Sequence, residues 1–207
     1  MAISNYTELK TAVSNWTDRD DLDDRIPEFI ALAEARLNRN LRIRSMEVKQ
    51  KANTVPGQRA LSLPPRYIQM RNFQINSGGK VRSIEYVTPE IFDLMHGNND
   101  QGRPCQYSIV SGEVQLGPIP DAEYEAEMLF YQSSPPLSAS NPTNWFTTFA
   151  PDVLLYGALL EAEPFIMNDN RIQLWKQAFD AAVLDMQDQD NRDRHSGSQL
   201  RVRHVYA

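Results

Sequence analysis

Residues 23–44 read DDRIPEFIALAEARLNRNLRIR, and the rest of the chain is organised around them. Ile26, Phe29, Ile30, Ala33, Leu37 and Leu41 recur at three- and four-residue intervals, which places them on one face of one helix. Pro27 then falls in the first turn, where a missing N–H costs nothing, and Asp23 or Asp24 is positioned to cap the orphan amides. Burying the large side chains of this stripe contributes about 10 kcal/mol as an upper figure. The opposite face carries Ala31 and Ala35 among Glu28, Asn38 and Arg39. Small residues there let another helix approach closely, from the same chain or from a neighbour. The pattern suits an assembly module.

On the N-terminal side, a first helix is expected from Tyr6 to Trp16, with the stripe Tyr6, Leu9, Val13 and Trp16. Asn5 with Glu8 three residues later resembles a capping box. On the C-terminal side the period changes from helical to alternating at about Ser45. Met46 and Val48 alternate with Glu47 and Lys49, and Pro56-Gly57 turns the chain toward Leu61 and Leu63, a hairpin that Pro64-Pro65 would close. Residues 67–75 read as a strand with a bulge near Asn72, and Ser77-Gly78-Gly79 turns into a strand over 81–87. Thr88-Pro89-Glu90 starts a short helix bearing Ile91, Phe92 and Met95, which Gly97 ends. A hairpin over 106–116 turns at Ser111-Gly112, placing Ile109 opposite Val114 and Tyr107 opposite Leu116. The last strand, 123–131, alternates Tyr124, Ala126, Met128 and Phe130 with Glu123, Glu125 and Glu127, so one face is apolar and the other acidic.

Beyond a Ser/Pro-rich linker, helix returns. Residues 153–160 are apolar nearly all round, which marks a helix buried on most sides, and Pro164 kinks or ends it. Asn168-Asp169-Asn170 starts a last helix with the stripe Ile172, Trp175, Phe179, Ala182, Val183 and Met186, which dissolves past Asp188. The expected fold class is α+β: N- and C-terminal helices (1–44 and 138–195) forming one bundle, an inserted antiparallel β-rich lobe (45–137), and a flexible tail (196–207). A disordered tail carrying Leu200, Val202, Val205 and Tyr206 among cations can order on a partner surface.

Composition narrows the function. With 207 residues, 41% hydrophobic and 23% charged, the chain can build a packed core. A formal charge of −6 argues against a protein whose main task is gripping nucleic acid. The single cysteine, Cys105, excludes an internal disulfide and a cysteine-rich zinc site. The opening MAISNYTELK is polar from its fourth residue, so no signal peptide is expected, and no apolar run reaches the ~20 residues of a membrane span. A soluble protein of a reducing compartment follows from these features.

Catalysis would have to use Cys105, His96 and Asp93, and no nucleophile motif surrounds them; a structural cysteine and a capping histidine are the plainer interpretation. No phosphate loop or metal-ligand spacing appears, so no cofactor is expected. Glu123, Glu125 and Glu127 read as a solvated sheet face, or as a wall that repels a passing polyanion. Arg36, Arg39, Arg42 and Arg44 complement the helix dipole and can pair with nearby acids, or else offer a docking surface. Trp145, Phe146 and Phe149 read as core rather than as a ligand platform.

The segment IPEFIALAEARLNRNLRIR, followed by a β-rich region, resembles the head–tail adaptor proteins of short-tailed bacteriophages. So do YTELKTAVSNW near the start, LPPRYIQMRNF at 63–73 and LLYGALLEAEPF at 154–165. The resemblance implies a non-enzymatic head-completion protein of the virion, made in the host cytoplasm. Copies would form a dodecameric ring beneath the portal protein, extend the DNA channel without binding DNA specifically, and offer a platform to the tail nozzle or tube. It implies Leu200, Arg201, Val202, Arg203, His204 and Tyr206 as portal contacts. Glu123, Glu125 and Glu127 are candidates for the channel or a solvated face, and Ala31, Ala35, Arg36, Arg39, Arg42 and Arg44 for subunit or partner contacts. A tail-tube or tail-terminator protein is the alternative within phage structure; a small hydrolase or a DNA-binding regulator would come from other classes.

Overall fold

A computed structural model describes residues 3–166 and 171–195. The chain divides into two compact units: one holds the residues up to Ser45 and those from Ser134 onward, the other is Met46–Ser133. Helices occupy both ends and a β-rich unit lies between them in sequence, an α+β fold.

The helical unit contains α1 (Tyr6–Thr17), α2 (Ile26–Asn40), α4 (Trp145–Phe149), α5 (Pro151–Ile166) and α6 (Ile172–His195). Asn5 caps α1 by accepting from the Glu8 amide at 2.9 Å. The reciprocal bond of a capping box lands one residue early: the Glu8 carboxylate accepts from the backbone N–H and the hydroxyl of Ser4, each at 2.7 Å. Leu9 and Val13 are fully buried, whereas Trp16 is exposed and meets Tyr156 edge-on.

Neither Asp23 nor Asp24 caps α2. Residues Asp20–Arg25 form a 3-10 helix that runs directly into α2, so Arg25 already has helical dihedrals and makes no side-chain cap. The predicted stripe is buried in full, from Ile26 to Leu41. It packs on α5, the central helix, which is buried around most of its circumference and also contacts α1, α4 and α6. Pro164 does not end α5; it lies in the last turn, and the helix reaches Ile166. The proposed start of α6 at 168–170 lies outside the described residues. Trp175 is the one stripe residue of α6 that is fully buried, the others being half-buried, and the helix continues past Asp188 to His195.

The β unit contains β1 (Glu47–Asn53), β2 (Ala60–Ser62), β3 (Tyr67–Ser77), β4 (Lys80–Ser83), β5 (Glu85–Tyr86), α3 (Pro89–His96), β6 (Gln101–Gly102), β7 (Gln106–Val110), β8 (Glu113–Gly117), β9 (Ile119–Pro120) and β10 (Glu125–Gln132). One antiparallel sheet has the order β1-β10-β3-β4; a second has the order β2-β8-β7-β5; β6 and β9 form a parallel pair. The expected hairpin over 45–63 does not form, because β1 pairs with β10 while β2 pairs with β8. Alternation fixes which face of a strand is buried, not which strand lies beside it. The expected strand over 81–87 is likewise split. β4 pairs antiparallel with β3, Ile84 is buried at the break, and β5 joins the second sheet parallel to β7.

The 106–116 hairpin forms as expected, with Ile109 opposite Val114 and Tyr107 opposite Leu116. Ser111 and Gly112 both take positive φ, 54° and 79°, the geometry of a two-residue hairpin loop. The bulge falls where the strand phase slips: Leu129 faces Asn72 and Phe130 faces Met70, which leaves Arg71 as the extra residue. Phe73, Ile75, Ala126, Met128 and Phe130 from the first sheet meet Tyr107, Val114 and Leu116 from the second around Ile84.

Candidate assembly surfaces

On α2, Ala31 is exposed and Ala35 half-buried, with Leu32 beside them 52% exposed. A close helix approach uses the other face. A Cβ on Gly157 of α5 would lie 3.1 Å from the Ala33 Cβ, so α5 packs through Ala33 and leaves Ala31 outward. The basic run is partly engaged within the helical unit. Arg36 pairs with Glu161 of α5 at 2.6 Å, and Arg42 donates to the carbonyls of Asn38 and Leu41, which satisfies the orphan acceptors at the helix end. The Arg44 amide donates to Asp190 of α6 at 2.8 Å. Arg39 is exposed.

The acidic strand face is paired rather than bare. Glu127 meets Lys49 at 2.7 Å, Glu125 meets Lys51 at 2.8 Å, and Glu123 accepts from Asn53 at 2.7 Å, three diagonal contacts between β10, its approach and β1. The Lys51 hydrogen bond holds the Glu125 carboxyl below its ordinary range and the same bond raises Lys51. Glu47 adds a further pair with Arg71 on β3. A polyanion at this face would therefore meet alternating charge, with lysines set between the carboxylates. The tail candidates Leu200, Arg201, Val202, Arg203, His204 and Tyr206 lie outside the described residues.

Of the residues a catalytic reading would use, Asp93 is exposed, whereas His96 is packed into the β unit. His96 is buried, its Nε2 lies 2.9 Å from the Gln106 side-chain oxygen, and its ring meets that of Phe92 at a tilt. It also packs so tightly on Gly117 that a Cβ there would sit 2.4 Å from the imidazole. Cys105 is exposed. Among the described residues no cluster of His, Cys, Asp or Glu could hold a metal ion, and no helix is long and apolar enough to cross a membrane.

Several surfaces escaped the sequence reading. On α3 Phe92 and His96 are buried; Ile91, Leu94 and Met95 form an outward apolar stripe, with Leu94 87% exposed. On α4, Phe146 is core but Phe149 is exposed and stacks on Trp145. Leu174 and Leu184 point outward from α6, 64% and 60% exposed. Each sits at helical spacing, and spacing alone does not say whether a partner element exists to cover it. Glu34, 5% exposed, is a carboxylate inside the apolar stripe of α2. Its position is legible in the sequence, four residues after Ile30 and three before Leu37, although a stripe defined by apolar residues passes over it.

No curated protein matches the chain. Residues 4–203 match the model of the SU10 adaptor protein family, and the chain belongs to that family of phage head–tail adaptors.

Proposed function

We propose that the chain is a non-catalytic structural component of a phage virion that assembles as a ring between the portal and the tail and extends the DNA channel. The observation that carries this reading is a helical unit with a buried apolar core and, among its described residues, large apolar side chains, Leu32, Leu174 and Leu184, exposed on its outer faces. Side chains of that kind at regular helical positions favour contact with neighbouring copies over substrate binding. Membership of an adaptor family supplies the context. In this reading Ala31, Ala35 and Arg39 border a neighbouring copy. Leu200, Arg201, Val202, Arg203, His204 and Tyr206 engage the portal, and the tail nozzle or tube meets the opposite side. Glu123, Glu125 and Glu127 remain at a solvated face. DNA passes without being gripped, in keeping with the net charge of −6.

Electron microscopy of the chain mixed with the portal of the same phage tests the reading. A ring of adaptor copies seated on the portal is expected, dodecameric by resemblance. Removing residues 196–207 should abolish seating and leave the helical content unchanged. A truncated chain that seats normally would eliminate the tail as the portal contact, and the absence of any ring on the portal would eliminate the proposal.

A further inference from the structure

Residues 134–144 return the chain from β10 to α4 with no regular secondary structure, and Pro135, Pro136 and Pro142 remove backbone donors along the way. Ser138 and Asn141 bond each other across a turn, and other donors of the segment reach one face of α2. Asn38 accepts from the Ser134 amide at 3.1 Å. One turn earlier, Glu34 accepts from the Leu137 amide at 3.1–3.2 Å and from the Asn144 side-chain amide at 2.8 Å. Asn144 also accepts from the Thr147 amide as the cap of α4, and Pro142 offers its carbonyl to the Tyr6 amide at 2.7 Å. Two acceptors four residues apart on α2 thus tie the segment to the helix, beside its own internal bonds from Asn141 to Pro136 and from Asn144 to Pro135.

The chemistry of the inner pin is unusual. A buried carboxylate is ordinarily matched by a cation, because neutral donors offset only part of the desolvation cost. Among the described residues the donors to Glu34 are amides alone. Tyr6 of α1 is the titratable group that feels its charge; neighbouring Arg36 on α2 is held by Glu161 of α5; α4 and the returning segment contribute Asn144 and backbone. A glutamine would accept from the same two donors through its one oxygen, at the position that already takes both, with no charge to desolvate.

We propose that residues 134–144 form a releasable strap, latched on α2 by Glu34 and Asn38, and that the buried carboxylate makes this strap open ahead of the helices that carry it. The strap holds the return crossing, Ser133 to Ser134, one of the two places where the chain passes between its units. Its release lengthens the free chain between β10 and α4. Burial pushes the Glu34 carboxyl above its ordinary value, against the opposing pull of the Leu137 and Asn144 bonds. The seated strap therefore binds a proton more tightly than the released one. Seating is strongest toward the ordinary carboxylate range and weakens as pH rises through the raised Glu34 value. This device does not depend on ring assembly, because it is confined to one chain.

Amide hydrogen exchange on the full chain tests it, with protection corrected for the intrinsic rate at each pH. The Leu137 amide should be several-fold better protected near pH ~5 than near pH ~7. In Glu34→Gln its protection at neutral pH should rise several-fold above wild type and lose its pH dependence. The Leu41 amide, bonded to Leu37 within the α2 terminus, should not respond to the substitution. Leu137 protection that is flat with pH in the wild type, or unchanged or lowered in Glu34→Gln, would overturn the proposal and leave Glu34 a plain anchor. Should Glu34→Gln fail to fold, the wild-type pH series decides alone.

Discussion

Gly157 sits where α5 comes close to both α2 and α6. A Cβ there would lie 3.1 Å from Ala33 on α2 and 3.3 Å from the Phe179 ring on α6. Replacing it by alanine sets a gain in helix propensity of about 1 kcal/mol against crowding of a few tenths of an ångström, so Gly157→Ala should be close to neutral. Gly157→Val adds two methyl groups beyond that Cβ at a point already crowded and should lower stability by about 1–3 kcal/mol in chemical denaturation. An unchanged midpoint for the valine variant would mean that α2 and α5 can slide apart freely. Ala33 was legible as a stripe residue, because burial follows from period. Gly157 read only as part of an apolar run, since the need for a missing side chain is set by what lies across the interface. Glu34 was missed for the opposite reason: a stripe defined by apolar residues passes over a carboxylate that the stripe itself buries.

At the scale of elements, the sequence was most informative where structure is local. The β7–β8 hairpin could be read to its residue pairing, because a two-residue loop with a glycine dictates register. The partner of β1 could not be read, because β10 lies about eighty residues away and alternation is common to both strands. The same limit applied to the acidic face of β10, whose lysine partners come from β1. Between the two sheets Tyr107 is buried against Phe73 and Tyr86, and burial pushes its hydroxyl from 10.0 up to about 12. The folded state then keeps a proton that the unfolded chain loses near pH 10. Stability should therefore fall as pH rises from about 10 through about 12, by up to about 3 kcal/mol. Tyr107→Phe should remove this alkaline loss while leaving the neutral-pH midpoint nearly unchanged. A variant that loses stability with the same alkaline slope as wild type would assign the effect to other groups.

For the whole molecule, the division into helical ends and a β-rich middle was legible because hydrophobic period changes from helical to alternating and back, and period is a property of each segment alone. Which outer faces wait for neighbours was not legible, since an exposed leucine and a buried one look alike in a stripe. The outward line Leu174, Gln177, Ala181, Leu184 and Asp188 on α6 is exposed throughout, with a small residue between two leucines. Its spacing is helical, so a second helix could lie along it without displacing anything already packed. Leu184 is 60% exposed, and its replacement by glutamate should change the stability of the isolated chain by no more than about 0.5 kcal/mol. In an assembled ring the same change would place a carboxylate in an apolar contact and should prevent ring formation on the portal. Thermal unfolding and electron microscopy of Leu184→Glu and Leu174→Glu separate the two effects. Normal rings from both variants would show that this α6 face stays solvated in the virion, and the subunit contact would then have to be sought at Ala31, Leu32 and Ala35 on α2.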